Sequence, residues 1–205
     1  MKKISNFISD NEKFEILRFV NSLNTKPHIT NKHISEVASK LNGQSWMFDI
    51  SKTEISTKLS KFQSSDNLVN IELPDIFQTL INRISKTLDI SQDNVFCQIL
   101  NQNWGGLIYP HYDSSIDEYI TYKCNIAVQS EKYTLYIGDN SLDVTQSDLY
   151  CFEASLYKHW TEAFKNQRVI VSYGFILPYS DLGRSDGDYR VRLSKRIVKY
   201  FQNNQ

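Results

Sequence analysis

Apolar positions recur along this chain in two different rhythms. Up to about residue 90 they follow the three-to-four spacing of amphipathic helices. Phe14, Ile16, Leu17, Phe19, Val20 and Leu23 form one stripe, which ends at the "NTKP" break. "TNKHISEVASKLNG" begins with Thr30 or Asn31 as a cap and stops at Gly43, which predicts a second helix closed by a C-terminal glycine. Pro74 opens a third, "PDIFQTLINRISKTL", apolar at 76, 77, 80, 81, 84 and 88. Between these, "SWMFDIS" reads as a short strand and "FQSSDNLVN" as a surface loop.

From Val95 to Leu177 the period shortens to two. Short β-rich runs follow one another: "NVFCQIL", "LIYPHYD", "YITYKCNIAV", "KYTLYIG", "SLDV", "DLYCFEA", "LYKHWTEA" and "RVIVSYGFIL". Turn formers separate most of them, as in "NQNWGG", "SSIDE", "GDNS" and "FKNQ". So many short strands in so little chain predict a sandwich or small barrel closed on itself. After Pro178 come a polar loop, "YSDLGRSDGD", and a basic segment, "YRVRLSKRIVKYFQ", which reads as a last helix. No linker interrupts the chain. The expectation is therefore one α+β domain over 1–205: a helical buttress (1–92), a β core (95–178), and a C-terminal loop and helix (179–205).

Composition narrows the classes. With 40% hydrophobic and 22% charged residues the chain reads as soluble and globular. Its 23 basic and 23 acidic residues cancel, so no global field favours nucleic acid or an anionic membrane. No apolar run approaches the ~20 residues that span a bilayer, and "MKKISNFISDNEKFEIL" lacks the apolar core of a signal peptide. Cys97, Cys124 and Cys151 include no C-x-x-C pair and read as buried, reduced thiols of a cytoplasmic protein.

Candidate chemistry gathers in the β half. His111 and Asp113 are two positions apart on a predicted strand, so their side chains leave the same face. His159 lies on the seventh predicted strand. Two imidazoles and one carboxylate on one face, with positions left open, make the facial triad of non-haem Fe(II) oxygenases. Arg168 begins the eighth strand and shares a face with Ser172 and Gly174, opposite the bulky Val169, Val171, Tyr173 and Phe175. A guanidinium on that face suits a carboxylate, which it can grip with two parallel hydrogen bonds. Lys123, Asn101 and Asn125 are polar residues within β-forming runs, and Tyr109, Tyr119 and Tyr122 lie close to the motif. All are candidates for the pocket wall. His28 and His33, the remaining histidines, read as solvent or capping residues.

These motifs, "HYD", "KHW" and "QRVIVS", resemble those of the Fe(II)/2-oxoglutarate-dependent dioxygenases, whose core is a double-stranded β-helix of the jelly-roll, cupin-like kind. The run "NWGGLIYPHYD" is similar to the approach to the motif in prolyl hydroxylases. The spacing from "CNIAVQSEKYTLYIG" through "DLYCFEASLYKHW" is similar to that of aspartyl and asparaginyl hydroxylases. The resemblance covers roughly residues 95–178. It implies that His111, Asp113 and His159 hold Fe(II) and that Arg168 binds the 5-carboxylate of 2-oxoglutarate. Ser172, Lys123, Asn101 and Tyr109 are the further cosubstrate candidates. It also implies O₂ as cosubstrate, with ascorbate in support, and hydroxylation of an amino-acid side chain, either free or in a peptide or protein. Two rivals stand beside this reading. One is a nucleic-acid demethylase of the same superfamily, which the balanced charge and the lack of a second arginine shortly after Arg168 weigh against. The other is a cupin-like module that binds a metal or small molecule without turnover.

Overall fold

The structure, a computed structural model, describes residues 1–24, 39–40, 43–63, 71–115 and 119–178. His28, His33, the polar loop after residue 63, part of the "SSIDE" turn and the whole C-terminal segment from residue 179 lie outside these residues. Ser9 starts α1 (Asp10–Asn24) with a capping box. Its amide N–H donates to the Glu12 carboxylate at 2.8 Å, and its hydroxyl accepts from the Glu12 N–H at 3.3 Å. Ile16, Val20 and Leu23 form the buried stripe of this helix, whereas Phe14 points out, 68% exposed. A second helix, α2 (Glu54–Gln63), was not legible in the sequence. Thr53 caps it by accepting from the Ser56 N–H at 3.2 Å. The third, α3 (Asp75–Leu88), follows Pro74 and buries Ile76, Phe77, Leu80, Ile81 and Ile84. Arg83 joins α3 to α1 through Glu12 and the Phe7 carbonyl.

All eight predicted runs are strands. They are β4 (Val95–Gln102), β5 (Leu107–His111), β6 (Tyr119–Gln129), β7 (Tyr133–Ile137), β8 (Asn140–Val144), β9 (Leu149–Glu153), β10 (His159–Thr161) and β11 (Arg168–Pro178). Three more precede them: β1 (Lys2–Ile4), β2 (Ser39–Lys40) and β3 (Gly43–Asp49). The strands make two sheets, ordered β1-β9-β6-β11-β4-β3 and β2-β5-β10-β7-β8. Within them β4 to β11 alternate between the sheets, apart from the β7–β8 hairpin that stays in the smaller one, as a double-stranded β-helix does, so the expected fold class holds.

One expectation needs correcting. The helix drawn to Gly43 cannot end as predicted, because Ser39 and Lys40 pair with Ile108 and Leu107 of β5 and Gly43 opens β3. Gly43 is there for close approach, not as a helix cap: a Cβ would lie 2.0 Å from the Asn101 carbonyl oxygen.

The six-stranded sheet has two unlike faces. Val169, Val171, Tyr173, Phe175 and Leu177 of β11 pack with Cys97, Ile99 and Ile126 against α1 and α3. The three cysteines are free and buried, with Cys97, Cys124 and Cys151 all on this side. The other face looks across to the five-stranded sheet, where Ala127, Leu135, Tyr150, Phe152, Phe164 and Ile170 form the inter-sheet core. Because α1 and α3 pack on that apolar face, the polar residues of β4, β6 and β11 on the opposite face converge between the sheets. Met47, Phe96 and Ile176 form a smaller cluster with Leu59 of α2.

Candidate metal centre

His111 ends β5, His159 begins β10, and the two are register partners. Their ring centroids are 4.3 Å apart. The pairing slips between His159 and Thr161, which faces Ile108, so Ile108 and His111 both turn inward although three residues apart. Asp113 lies just past the strand. Its N–H donates to the Ala154 carbonyl at 3.0 Å, which turns the carboxylate back toward the histidines. Asp113 Oδ1 is 3.4 Å from His111 Nε2 and 3.7 Å from His159 Nε2. One ligand atom from each residue lies within 4.8 Å of the others.

Each imidazole is oriented by a carbonyl two residues before it. His111 Nδ1 is 2.8 Å from the Tyr109 oxygen, and His159 Nδ1 is 3.1 Å from the Tyr157 oxygen. A carbonyl only accepts, so Nδ1 carries the proton in both rings and the Nε2 lone pairs face Asp113. Two such nitrogens and a carboxylate oxygen are a donor set for a divalent transition metal, and iron fits it.

The surrounding charges are arranged unevenly. Burial pushes the Asp113 carboxyl up, but the Lys123 ammonium and the two histidines outweigh it and hold it well below the usual carboxylate range. Burial opposes a charge on His111, yet the Asp113 carboxylate, which accepts from Nε2 once that ring is protonated, prevails and the pKa is raised. His159 is more deeply buried, with the Phe152 ring 4.8 Å away, and burial brings it down to about 4.

From the triad a cavity of about 80 Å³ runs between the sheets to Arg168. Arg168 is 1% exposed. Its guanidinium lies 3.6 Å from the centre of the Phe164 ring and 4.9 Å from that of Tyr133, and Nε donates to Gln102 Oε1 at 2.9 Å. Among the described residues no carboxylate pairs with it. Burial pushes the Tyr133 phenol well up, so that ring stays neutral and is no counter-ion. The Asn125 carboxamide oxygen, in the cavity wall, is buried without a hydrogen-bond partner among the described residues. A buried cation without an anion, beside an unsatisfied polar atom, fits a site that takes an anionic ligand.

Of the other sequence candidates, Lys123, Asn125 and Ser172 line this cavity. Asn101 does not: it sits on the Ile99 side of β4, where its side chain accepts from Gln167 at 2.9 Å. Tyr109 is 44% exposed and meets the site through its carbonyl, not its phenol. Sequence reasoning missed Gln98 and Gln102. Strict alternation could have found them, since Val95, Cys97 and Ile99 are the apolar face of "VFCQILNQ" and the glutamines lie on the other.

No protein-family model matches the chain, and no curated protein matches it in sequence. Solved structures do. A prolyl-4-hydroxylase of Pseudomonas putida superposes with a TM-score of 0.56 at 11% identity, over 85% of this chain and 91% of that one. The viral collagen prolyl hydroxylase of Paramecium bursaria Chlorella virus-1, in a 2-oxoglutarate complex, gives 0.53 at 11% identity, over 85% and 94%. The Trichoplax adhaerens prolyl hydroxylase, bound to a peptide from the oxygen-degradation domain of hypoxia-inducible factor, gives 0.52 at 14% identity, over 90% and 87%. The chain thus shares the fold of prolyl hydroxylases over most of its length.

Proposed function

We propose that this protein is an Fe(II)- and 2-oxoglutarate-dependent dioxygenase that hydroxylates an amino-acid side chain, free or within a peptide or protein. The observation that carries the reading is the pairing of a two-histidine, one-carboxylate group with a buried arginine, without a carboxylate partner among the described residues, at the far end of the same cavity. In this reading His111, Asp113 and His159 hold the iron, and Arg168 grips the 5-carboxylate of the cosubstrate. Bound there, iron and 2-oxoglutarate supply oxidative decarboxylation to succinate and CO₂ coupled to insertion of one oxygen atom into a C–H bond.

The protein's own part is orientation and exclusion of water. The Tyr109 and Tyr157 carbonyls keep both Nε2 lone pairs directed inward. The Phe164 ring against the guanidinium, the Tyr133 ring set at right angles to it, and Gln102 accepting from Nε fix the guanidinium before a ligand arrives. Phe152 and Ile170 wall the cavity with apolar surface, which strengthens every charge contact inside it. The peptide in the Trichoplax complex supports a side chain within a polypeptide as substrate. The test is a screen of amino acids and peptides with Fe(II), 2-oxoglutarate and ascorbate. A substrate gains the mass of one oxygen in step with succinate release; a binding module without turnover yields neither.

A further inference from the structure

A second cavity, of about 810 Å³, opens between the end of β3, α2 and the start of α3, and no residue lines both it and the metal cavity. Ile50, Ile71 and Leu73 make its apolar side; they are half-buried and pack against the core cluster that holds Phe48 and Phe77. Its polar side is acidic. Asp49, Glu72 and Asp75 line it and form no ion pair among the described residues. Asp49 Oδ1 is buried without a hydrogen-bond partner among them. Lys52 is the cation among the lining residues, so the wall keeps an excess of negative charge. Apolar surface beside surplus carboxylates suits an amphipathic partner with a basic face.

The chain carries such a partner itself. Residues 189–202, "YRVRLSKRIVKYFQ", include five basic residues and no acidic one. At the helical period Leu193, Ile197, Tyr200 and Phe201 fall on one side. Four of the basic residues, Arg192, Lys195, Arg196 and Lys199, fall on the other. The path is short as well. β11 runs beside β4 and β4 beside β3, so Pro178 and Asp49 lie toward the same end of the sheet. Two strand spacings, about 10 Å, separate their strands, and the ten residues 179–188 span up to about 33 Å.

We propose that this groove is the docking site of the chain's own C-terminal segment, residues 189–202, as an amphipathic helix. Its apolar side lies on Ile50, Ile71 and Leu73, and Lys195 and Lys199 turn toward Glu72 and Asp75. Docking ties the end of β11 to α3 by contacts that do not pass through the metal centre, so the inference does not depend on the dioxygenase reading. A basic amphipathic helix also suits an anionic lipid surface; the acidic wall and the short path favour the site within the chain.

The test is amide hydrogen exchange in the full chain, at two protein concentrations and with or without vesicles of phosphatidylcholine and phosphatidylserine. In wild type the amides of residues 193–200 are expected to exchange roughly tenfold or more slower than in Glu72→Lys/Asp75→Lys, which reverses the wall. Lys195→Glu/Lys199→Glu, which reverses the tail, has the same effect, and the four substitutions together restore most of the protection. Unchanged exchange in β4 and β11 shows that a variant is folded; Glu72→Lys alone replaces the double substitution if it is not. Wild-type tail amides that exchange without protection overturn the docking, and so does protection that neither variant removes. Protection that grows with protein concentration puts the helix on a second copy, and protection seen only with vesicles makes it a lipid contact. Either result also overturns the proposal.

Discussion

His111 and His159 face the same carboxylate, yet their pKa values are shifted in opposite directions, because one is half-open and nearer Asp113, to which it donates once protonated, while the other is sealed against Phe152. Metal binding needs both rings neutral. His111, raised above 6.5, is the first to take a proton as the pH falls. Mn(II) affinity is therefore expected to decline from about pH 8 to about pH 5.5, by roughly tenfold per unit once that ring is mostly protonated. Calorimetry across the range measures it, and a flat profile excludes His111 as a ligand.

The metal-free protein has its own pH response. The folded-state pKa of Asp113 lies below the unfolded 3.8, so its contribution to stability is present above that value and lost as the pH falls through and below it. At the other end of the cavity, Arg168→Ala is expected to raise the apparent KM for 2-oxoglutarate by roughly thirtyfold or more with metal affinity intact, since it removes a desolvated charge-assisted pair. An unchanged KM removes Arg168 from that role. Arg168→Lys keeps the charge but loses the planar fork and its contact with the Phe164 ring, and recovers little.

Elements differ in how much of themselves they wrote into the sequence. The eight core strands were legible because alternation and turn residues agreed. β11 was read down to its faces, with Arg168, Ser172 and Gly174 on one side and Val169, Val171, Tyr173 and Phe175 on the other. Helix α2 was not legible: Ile55 and Leu59 are too sparse an apolar stripe, and tertiary packing on Phe96 and Met47 supplies what the pattern lacks. Gly43 misled for a related reason, since a glycine after a helical pattern looks the same whether it caps a helix or lets two backbones approach. Gly174 could be placed on the right face but its reason could not be read; a Cβ there would meet the Phe96 ring at 2.1 Å. Gly174→Ala is thus expected to destabilise the fold by about 1–3 kcal/mol through overpacking, a fall of several degrees in Tm, and to disturb the seat of Lys123. A thermal midpoint equal to wild type means that Phe96 yields without cost.

For the molecule as a whole, the division of labour between faces positions the site. Helices α1 and α3 seal the outside of the larger sheet, and the inside is left for polar residues from β4, β5, β6, β10 and β11. The sequence could nominate His111, Asp113, His159 and Arg168 because strand order and same-face spacing are local properties. It could not tell that Gln102 backs Arg168 or that Lys123 reaches Asp113, since those meetings depend on pairing registers between strands far apart in the chain. Asn101, one residue out of phase, shows how small the error is that moves a side chain to the other face. Among the described residues no helix is long and apolar enough to cross a membrane. A centre assembled across both sheets should also lock them together. Mn(II) and 2-oxoglutarate added jointly are expected to raise Tm beyond either alone, as ligands that bind only the folded chain do, and Asp113→Ala is expected to abolish the increment.

The central claim is that this cavity turns over 2-oxoglutarate at a metal held by His111, Asp113 and His159. Its most direct test is succinate formation from 2-oxoglutarate under air in Fe(II)-loaded wild type beside His111→Ala, Asp113→Ala and His159→Ala. The account predicts Fe(II)-dependent succinate from wild type and none above background from the three variants, with their folds intact. Succinate from the variants at the wild-type rate, or none from wild type with any substrate of the screen, would contradict it.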